Sequence, residues 1–218
     1  GFAVHSDIVA PYLINYSSQN QKKKYLPKMV KGEIITAIAM TEPSTGSDLQ
    51  NIKTRANIKD NKIILNGSKT FITNGQNADL VLVVAKTDNT KKAKGISIIL
   101  CEKNRKGFQK GKNLKKIGMK AQDTSELYFQ DVELPLENIL GYSGQGFAQL
   151  MDELPQERLS IAVTAIAAAE SALNWTISYT KERKAFDTKL INFQNTKFTL
   201  AKLKTELSVA RTYIDRCI

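Results

Sequence analysis

Histidine is almost absent: His5 is the only one in 218 residues. That excludes a His-rich metal site and disfavours a Ser-His-Asp triad within this chain, so no metal is expected. Cysteine is scarce as well. Cys101 and Cys217 lie far apart and form no CxxC, so no disulfide framework exists and a reducing compartment is favoured. No apolar run approaches the ~18 residues needed to cross a bilayer, so no transmembrane segment is expected. No secretory signal is visible either. The chain opens on Gly1-Phe2 rather than Met and closes on Cys217-Ile218 inside a helical pattern, so the expectation is a piece of a longer protein.

What is abundant is lysine. The net charge is +11, and only six of the thirty-two cationic residues are arginine. A charge of this size suits nucleic acid or an acidic membrane. Here, however, the lysines are spread over loops and helix faces, and no nucleic-acid-binding motif accompanies them. The reading is a solvated basic surface that favours polyanionic ligands such as a nucleotide pyrophosphate, with no nucleic-acid partner. The clusters Lys22-Lys23-Lys24 and Lys91-Lys92 read as surface turns and helix faces. The length allows one large domain or two modest ones, each with a real core.

Residues 2 to 30 carry a helical pattern, with Ile8, Tyr12 and Ile14 offered as an apolar face. Ser18 is placed to cap a second short helix, and Pro27 sits near its end. From 34 to about 140 the pattern is β. Lys62–Leu65 leads to Asn66-Gly67, read as a hairpin turn, with Thr70–Thr73 as the returning strand. Leu80–Ala85 and Gly95–Cys101 are two more short strands, joined by the polar loop Asp88–Lys92, and Glu126–Val132 ends the set. Short strands with turns every ten residues or so point to a compact barrel or sandwich. After Gly141-Tyr142-Ser143-Gly144 the chain is helical. Ile161, Ala165, Ala168, Ala172, Trp175 and Tyr179 form one apolar line, and Leu159, Ala162, Ile166, Ala169 and Leu173 form a second. Two lines imply a helix buried around much of its circumference. Phe193, Leu200, Leu203, Leu207, Ala210, Ile214 and Cys217 fall on one heptad seam, the pattern of a helical bundle.

The stretch with the most chemistry is Ile34–Asp48, IITAIAMTEPSTGSD. An apolar, partly β-branched run reads as a buried strand and ends in a turn rich in hydroxyls, with one Pro and one Gly. Free amides and hydroxyls at such a turn suit an oxyanion or the edge of a heterocycle. On composition alone it reads as an ordinary Ser/Thr/Gly/Pro loop.

The string itself says more. Thr41-Glu42-Pro43, two residues, then Gly46-Ser47-Asp48 resembles the signature of the acyl-CoA dehydrogenases. Three further stretches resemble the same family in the same order: Gly67-Ser68-Lys69-x-Phe71-Ile72-Thr73-Asn74-Gly75, Lys115–Thr124 (KKIGMKAQDT), and Glu182-Arg183-Lys184-x-Phe186. Glu153–Leu159, ELPQERL, is most similar to the long-chain enzymes within it.

This resemblance implies an α+β fold: a β-barrel middle domain flanked by helices, then helices of a C-terminal four-helix bundle. The implied domains are residues 1–33, the tail of an N-terminal helical domain; 34–140, the barrel; and 141–218, the first part of the bundle. It also implies FAD as cofactor. Met40 and Thr41 match positions that approach the flavin ring through backbone amide and hydroxyl, and Ser47 matches a pyrophosphate contact. Phe71 matches an aromatic lying against the ring, and Thr73 a hydroxyl bonding the hydride-accepting nitrogen. Arg183, Phe186 and Gln194 match positions that touch the adenosine diphosphate half from a neighbouring subunit, which implies an oligomer, a homotetramer in most of the family. Without the resemblance, Phe71 and Thr73 read as ordinary strand residues and Arg183 as a surface side chain between helices.

Taking hydrogens from the α and β carbons of a thioester needs a base and a hydride acceptor, and no side chain accepts a hydride. A carboxylate in a dry pocket is the sensible base. On pattern alone Glu157 is a surface residue at a helix N-terminus, pairing with Arg158 or favouring the helix dipole. The resemblance makes it the base, as in long-chain and isovaleryl relatives, and sets Arg158 near the CoA portion of the substrate or against Glu157. The implied reaction turns a long-chain acyl-CoA into a trans-2-enoyl-CoA, with an electron-transfer flavoprotein as acceptor, in bacterial cytoplasm or the mitochondrial matrix. The alternatives are an isovaleryl-type dehydrogenase acting on a branched short chain, or an acyl-CoA oxidase. Two departures stand out: Ser44-Thr45 where many relatives have Gly and Ala, and Asp187 where Gly is usual.

Overall fold

The computed structural model describes all of residues 1–218. It divides into two compact units, Gly1–Leu154 and Pro155–Ile218.

The first unit begins with a π-helical stretch, Val4–Val9, that runs directly into α1 (Ala10–Tyr16). Ser17 breaks the run with extended backbone, and α2 (Gln19–Val30) starts behind a complete capping box. The Ser18 hydroxyl accepts the Gln21 amide at 3.2 Å, and the Gln21 side chain accepts the Ser18 amide at 2.9 Å. The face these helices bury is Val9, Tyr12, Leu13, Tyr25 and Met29. Ile14, expected to share it, is exposed. One residue beyond Leu13 is a rotation of about 100° around a helix, which carries its side chain off the buried face.

The strands are β1 (Thr36–Ala39), β2 (Arg55–Lys59), β3 (Lys62–Thr73), β4 (Leu80–Lys86), β5 (Ile96–Glu102), β6 (Phe108–Asn113) and β7 (Thr124–Pro135). They form one sheet in the order β1-β4-β2-β3-β7-β6, with β5 also on β4, curled into a half-barrel. The α+β expectation holds. β1 lies parallel to β4, whereas β3–β7 and β4–β5 are antiparallel.

The alternation of β4 and β5 explains why both read as continuous apolar runs. Val81, Val83, Ala85, Ile99 and Cys101 join a core completed by Ile63, Leu65, Leu127, Phe129 and Val132. Leu80, Leu82, Val84, Ile96, Ile98 and Leu100 face the other way, into a second core with Val9, Tyr12, Leu13, Tyr25 and Leu150. Each fully buried aliphatic side chain contributes about 1.5–3 kcal/mol, so this doubly covered pair of strands is the stiff centre of the unit.

One expected turn is absent. Asn66-Gly67 lies inside β3, which runs unbroken from Lys62 to Thr73. The reversal is earlier, at Asp60-Asn61, where both residues have positive φ (49° and 59°) and join β2 to β3 with Lys59 opposite Lys62. That is the two-residue primed turn whose twist matches its strands. At Asn66-Gly67 the register against β7 slips instead. The Asn66 amide side chain closes on Asp131, donating to its carboxylate at 3.0 Å and accepting its backbone N–H at 2.8 Å. Gly67 is required there because a Cβ would sit 2.7 Å from the Thr54 Cα. β2 and β6 carry too few apolar residues to be read as strands from sequence; their pairing partners make them strands.

The second unit holds the greater part of α3 (Gly146–Glu182), the two-stranded hairpin β8 (Lys184–Ala185) and β9 (Thr188–Lys189), and α4 (Gln194–Cys217). Here α3 and α4 run antiparallel. Arg211 of α4 donates to the Glu170 carboxylate of α3 through both Nε and Nη2. Ile166, Leu173 and Leu200 are buried. The two-line burial expected for α3 does not occur: Ile161, Trp175 and Tyr179 of the first line are exposed, and only the second line supplies buried residues. A single neighbouring helix covers a single stripe. Phe193 precedes α4 rather than lying within it. No helix is long and apolar enough to cross a membrane.

Candidate active site

In the first unit, β1 ends and the chain turns sharply at Met40–Asp48. Glu42 and Thr45 exchange both backbone hydrogen bonds, at 2.8 and 3.1 Å, which closes the turn on itself. Beneath it is a buried ion pair. Lys69 of β3, 0% exposed at its side chain, places Nζ 2.9 Å from Glu42 Oε1 and donates at 2.9 Å to the Met40 carbonyl. Glu42, 3% exposed, also accepts the backbone N–H groups of Lys53 at 2.6 Å and Thr54 at 3.0 Å. Burial works to raise the Glu42 pKa, but the Lys69 charge and these amide bonds outweigh it and leave it lowered. Burial lowers the Lys69 pKa to about 8 against the pull of Glu42.

Three of the four motif segments are fastened together in this unit. The Thr70 N–H donates to the Thr41 carbonyl at 2.9 Å, tying the turn to β3. Thr73 is paired across to Thr124, the end of the Lys115–Thr124 segment. Asp123 of that segment accepts the Gln76 N–H at 2.6 Å and the Asn77 side chain at 3.3 Å.

Phe71 occupies a second register slip in β3, between Lys69 and Ile72. Its φ is +59°, rare for an aromatic residue, and its side chain is 66% exposed. The bulge thus turns a large apolar ring out to solvent, where a sheet interior would have hidden it. Thr73 is half-buried at the end of the same strand, Thr41 is half-buried and Ser47 is exposed. A flat apolar surface, hydroxyls and a glycine turn close together fit a ring bearing a phosphate tail.

In the second unit Glu157 lies within α3, eleven residues past its start, and is only 7% exposed. The helix-terminus reading of this residue is therefore wrong, because the helix begins well before Pro155. Arg158, next along, is exposed. Arg183 directly follows α3; its N–H donates to the Tyr179 carbonyl and its carbonyl accepts the Leu190 N–H, both at 2.9 Å. These bonds set the base of the β8–β9 hairpin. The tip is Phe186-Asp187, with φ of 53° and 59°, a primed turn in which Asp187 takes the left-handed backbone that Gly would take more easily. Phe186 is 94% exposed, and Gln194 opens α4 on the surface. Arg183, Phe186 and Gln194 are thus gathered on one short connection.

Sequence reasoning assigned no role to Glu42, Lys69 or Asp123.

Three domain models match in order: the acyl-CoA dehydrogenase N-terminal domain at residues 1–33, the middle domain at 37–132 and the C-terminal domain at 144–218. The chain is 51% identical to the mitochondrial long-chain specific acyl-CoA dehydrogenase of Mus musculus, over all of this chain and 51% of that protein. It is 40% identical to the isovaleryl-CoA dehydrogenase of Pongo abelii, over 98% of this chain and 51% of that one. An acyl-CoA dehydrogenase crystal structure from Geobacillus kaustophilus superposes with a TM-score of 0.97 at 49% identity, covering 99% of this chain and 57% of that one. The chain thus spans about half the length of these relatives. Over that half, motifs, fold and sequence agree, and the chain belongs to the acyl-CoA dehydrogenase family.

Proposed function

We propose that the protein containing this chain is an FAD-dependent dehydrogenase that converts long-chain acyl-CoA thioesters to trans-2-enoyl-CoA. The observation that carries this reading is the fastening of the 40–48 turn, β3 and the 115–124 segment into one surface, with Phe71 turned outward beside them. Met40, Thr41, Phe71 and Thr73 hold the flavin ring and Ser47 its pyrophosphate. Arg183, Phe186 and Gln194, all on one exposed connection, serve the adenosine diphosphate half in a neighbouring subunit, so the assembly is a homotetramer. A guanidinium fork suits a pyrophosphate. The domains run as residues 1–33, 34–140 and 141–218.

Bound FAD supplies the hydride acceptor that no side chain provides. Glu157, only 7% exposed, takes the α proton, the role that a carboxylate in a dry pocket suits. Arg158 contacts the CoA portion. Electrons leave to an electron-transfer flavoprotein, and the compartment is bacterial cytoplasm or mitochondrial matrix.

The test is anaerobic mixing of the full-length protein with palmitoyl-CoA while the flavin absorbance is followed. Rapid bleaching is expected in the unsubstituted protein. Glu157→Gln should keep the flavin and slow bleaching by roughly 10²–10⁴-fold, the usual worth of a general base. Undiminished bleaching in Glu157→Gln would move the base elsewhere. The 40% identity to an isovaleryl-CoA dehydrogenase supports a second reading, dehydrogenation of a branched short chain. Bleaching by isovaleryl-CoA but not palmitoyl-CoA would select it. Rapid reaction of the reduced flavin with oxygen would instead select an oxidase.

A further inference from the structure

The buried Lys69–Glu42 pair is a poor choice if stability were its purpose. Two charges that are 0% and 3% exposed lose most of their hydration, and apolar residues of similar shape in such places usually leave a protein equally or more stable. The pair does something that apolar residues would not. Lys69 Nζ also donates to the Met40 carbonyl at 2.9 Å, and that carbonyl lies just past the end of β1. The Met40–Thr41 peptide is trans, since the chain has no cis bonds, so its carbonyl and the Thr41 N–H point in opposite directions. Fixing the carbonyl on the ammonium below fixes the Thr41 N–H outward. The Thr41 carbonyl is held separately by Thr70, and the Glu42 N–H is spent on Thr45. Thr41 N–H has no acceptor within the chain. An unspent donor aimed by a carbonyl that is pinned from beneath is the arrangement of a preorganised ligand contact.

We propose that Lys69 and Glu42 are positioning residues, which pin the Met40 carbonyl from beneath so that the Thr41 N–H is presented to the flavin. This rests on the flavin reading above. Glu42 completes the device by fixing the ammonium; its remaining acceptor capacity goes to the Lys53 and Thr54 amides, which leaves little room for it to shift.

The decisive comparison uses full-length protein stripped of flavin and titrated with FAD. The double variant Glu42→Gln with Lys69→Met removes both charges together, so no buried charge is left unpaired. Its apoprotein should melt close to the unsubstituted one, while its Kd for FAD rises at least tenfold and the bound flavin spectrum shifts. A double variant that binds FAD within twofold of the unsubstituted protein would reduce the pair to a structural role. Hydrogen exchange on the unsubstituted protein gives a second arm that does not depend on a variant folding. Exchange in the peptide covering Thr41 should slow on FAD binding, and unchanged exchange would overturn the proposal. If the unsubstituted full-length protein takes up no FAD, the flavin reading itself fails, and that outcome is seen before any variant is made.

Discussion

The two units hold their candidate site residues by opposite means. In the first, the turn at 40–48 is held from below by a buried ion pair and from the side by β3, so its geometry is dictated by groups that solvent hardly touches. In the second, Phe186 is almost fully exposed and its position is set by backbone alone, a two-residue turn with both φ values positive. The difference teaches that precision in the sheet unit depends on interior complementarity, and in the hairpin on local conformational preference. Substitutions should therefore be costly in the first and cheap, or even favourable, in the second.

The largest effect expected is at Gly67. A Cβ there would lie 2.7 Å from the Thr54 Cα and 2.8 Å from its Cβ, and the strands cannot separate without losing register. Gly67→Ala should cost about 3 kcal/mol, the upper end for overpacking, read as a lowered denaturation midpoint. A loss below about 1 kcal/mol would mean that the sheet unit is more yielding than its packing implies.

Next comes Glu102, at the end of β5, which ties that strand to α2. Its carboxylate accepts from Lys24 at 2.8 Å, Tyr25 at 2.7 Å, Arg105 at 2.9 Å and Asn138 at 3.2 Å. Burial works to raise its pKa, but the bonds from Lys24, Tyr25 and Arg105 bring it down to about 2. With a folded pKa below the unfolded one, the stabilisation is full above about pH 4.5 and is lost as pH falls toward 2. Glu102→Gln should cost roughly 2 kcal/mol at pH 7, and the gap to the unsubstituted protein should close on acidification. Melting curves from pH 7 to pH 2 check this. A gap independent of pH would assign the loss to packing.

The smallest effect has the opposite sign. Asp187→Gly relieves one left-handed residue at the hairpin tip and should stabilise by about 0.5–1 kcal/mol, since Gly adopts this backbone freely. A rise in melting temperature without weaker FAD binding in the full-length protein would show that shape alone is what the hairpin contributes. Weaker binding would assign the Asp187 side chain a part in the site.

Much of the plan was legible in the sequence. The runs at Leu80–Ala85 and Gly95–Cys101 became the central strands because their apolar character is continuous, and the Ser18 cap was readable from side-chain chemistry. What escaped depended on partners distant in sequence. Asn66-Gly67 has the composition of a turn, yet Asp131 and Thr54 convert it into a bulge within a long strand. The true turn, Asp60-Asn61, lacks the glycine that usually marks one. The motif positions could be named from resemblance, but the ion pair beneath them could not, because Glu42 and Lys69 meet only once β1 and β3 are in place.

That dependence has a kinetic consequence. β1 pairs with β4 some forty residues on, and β3 with β7 some sixty residues on. Contacts so distant along the chain form slowly, because the entropy of closing the intervening loops is lost before any pairing repays it. Lys69 is in β3 opposite Leu127 of β7, and the carbonyl it grips stands at the end of β1. The donor aimed by that grip cannot exist in a partly folded chain. On the proposed flavin reading, competence to take up the cofactor arrives only when the sheet is finished, and a half-made molecule offers the ligand nothing to hold.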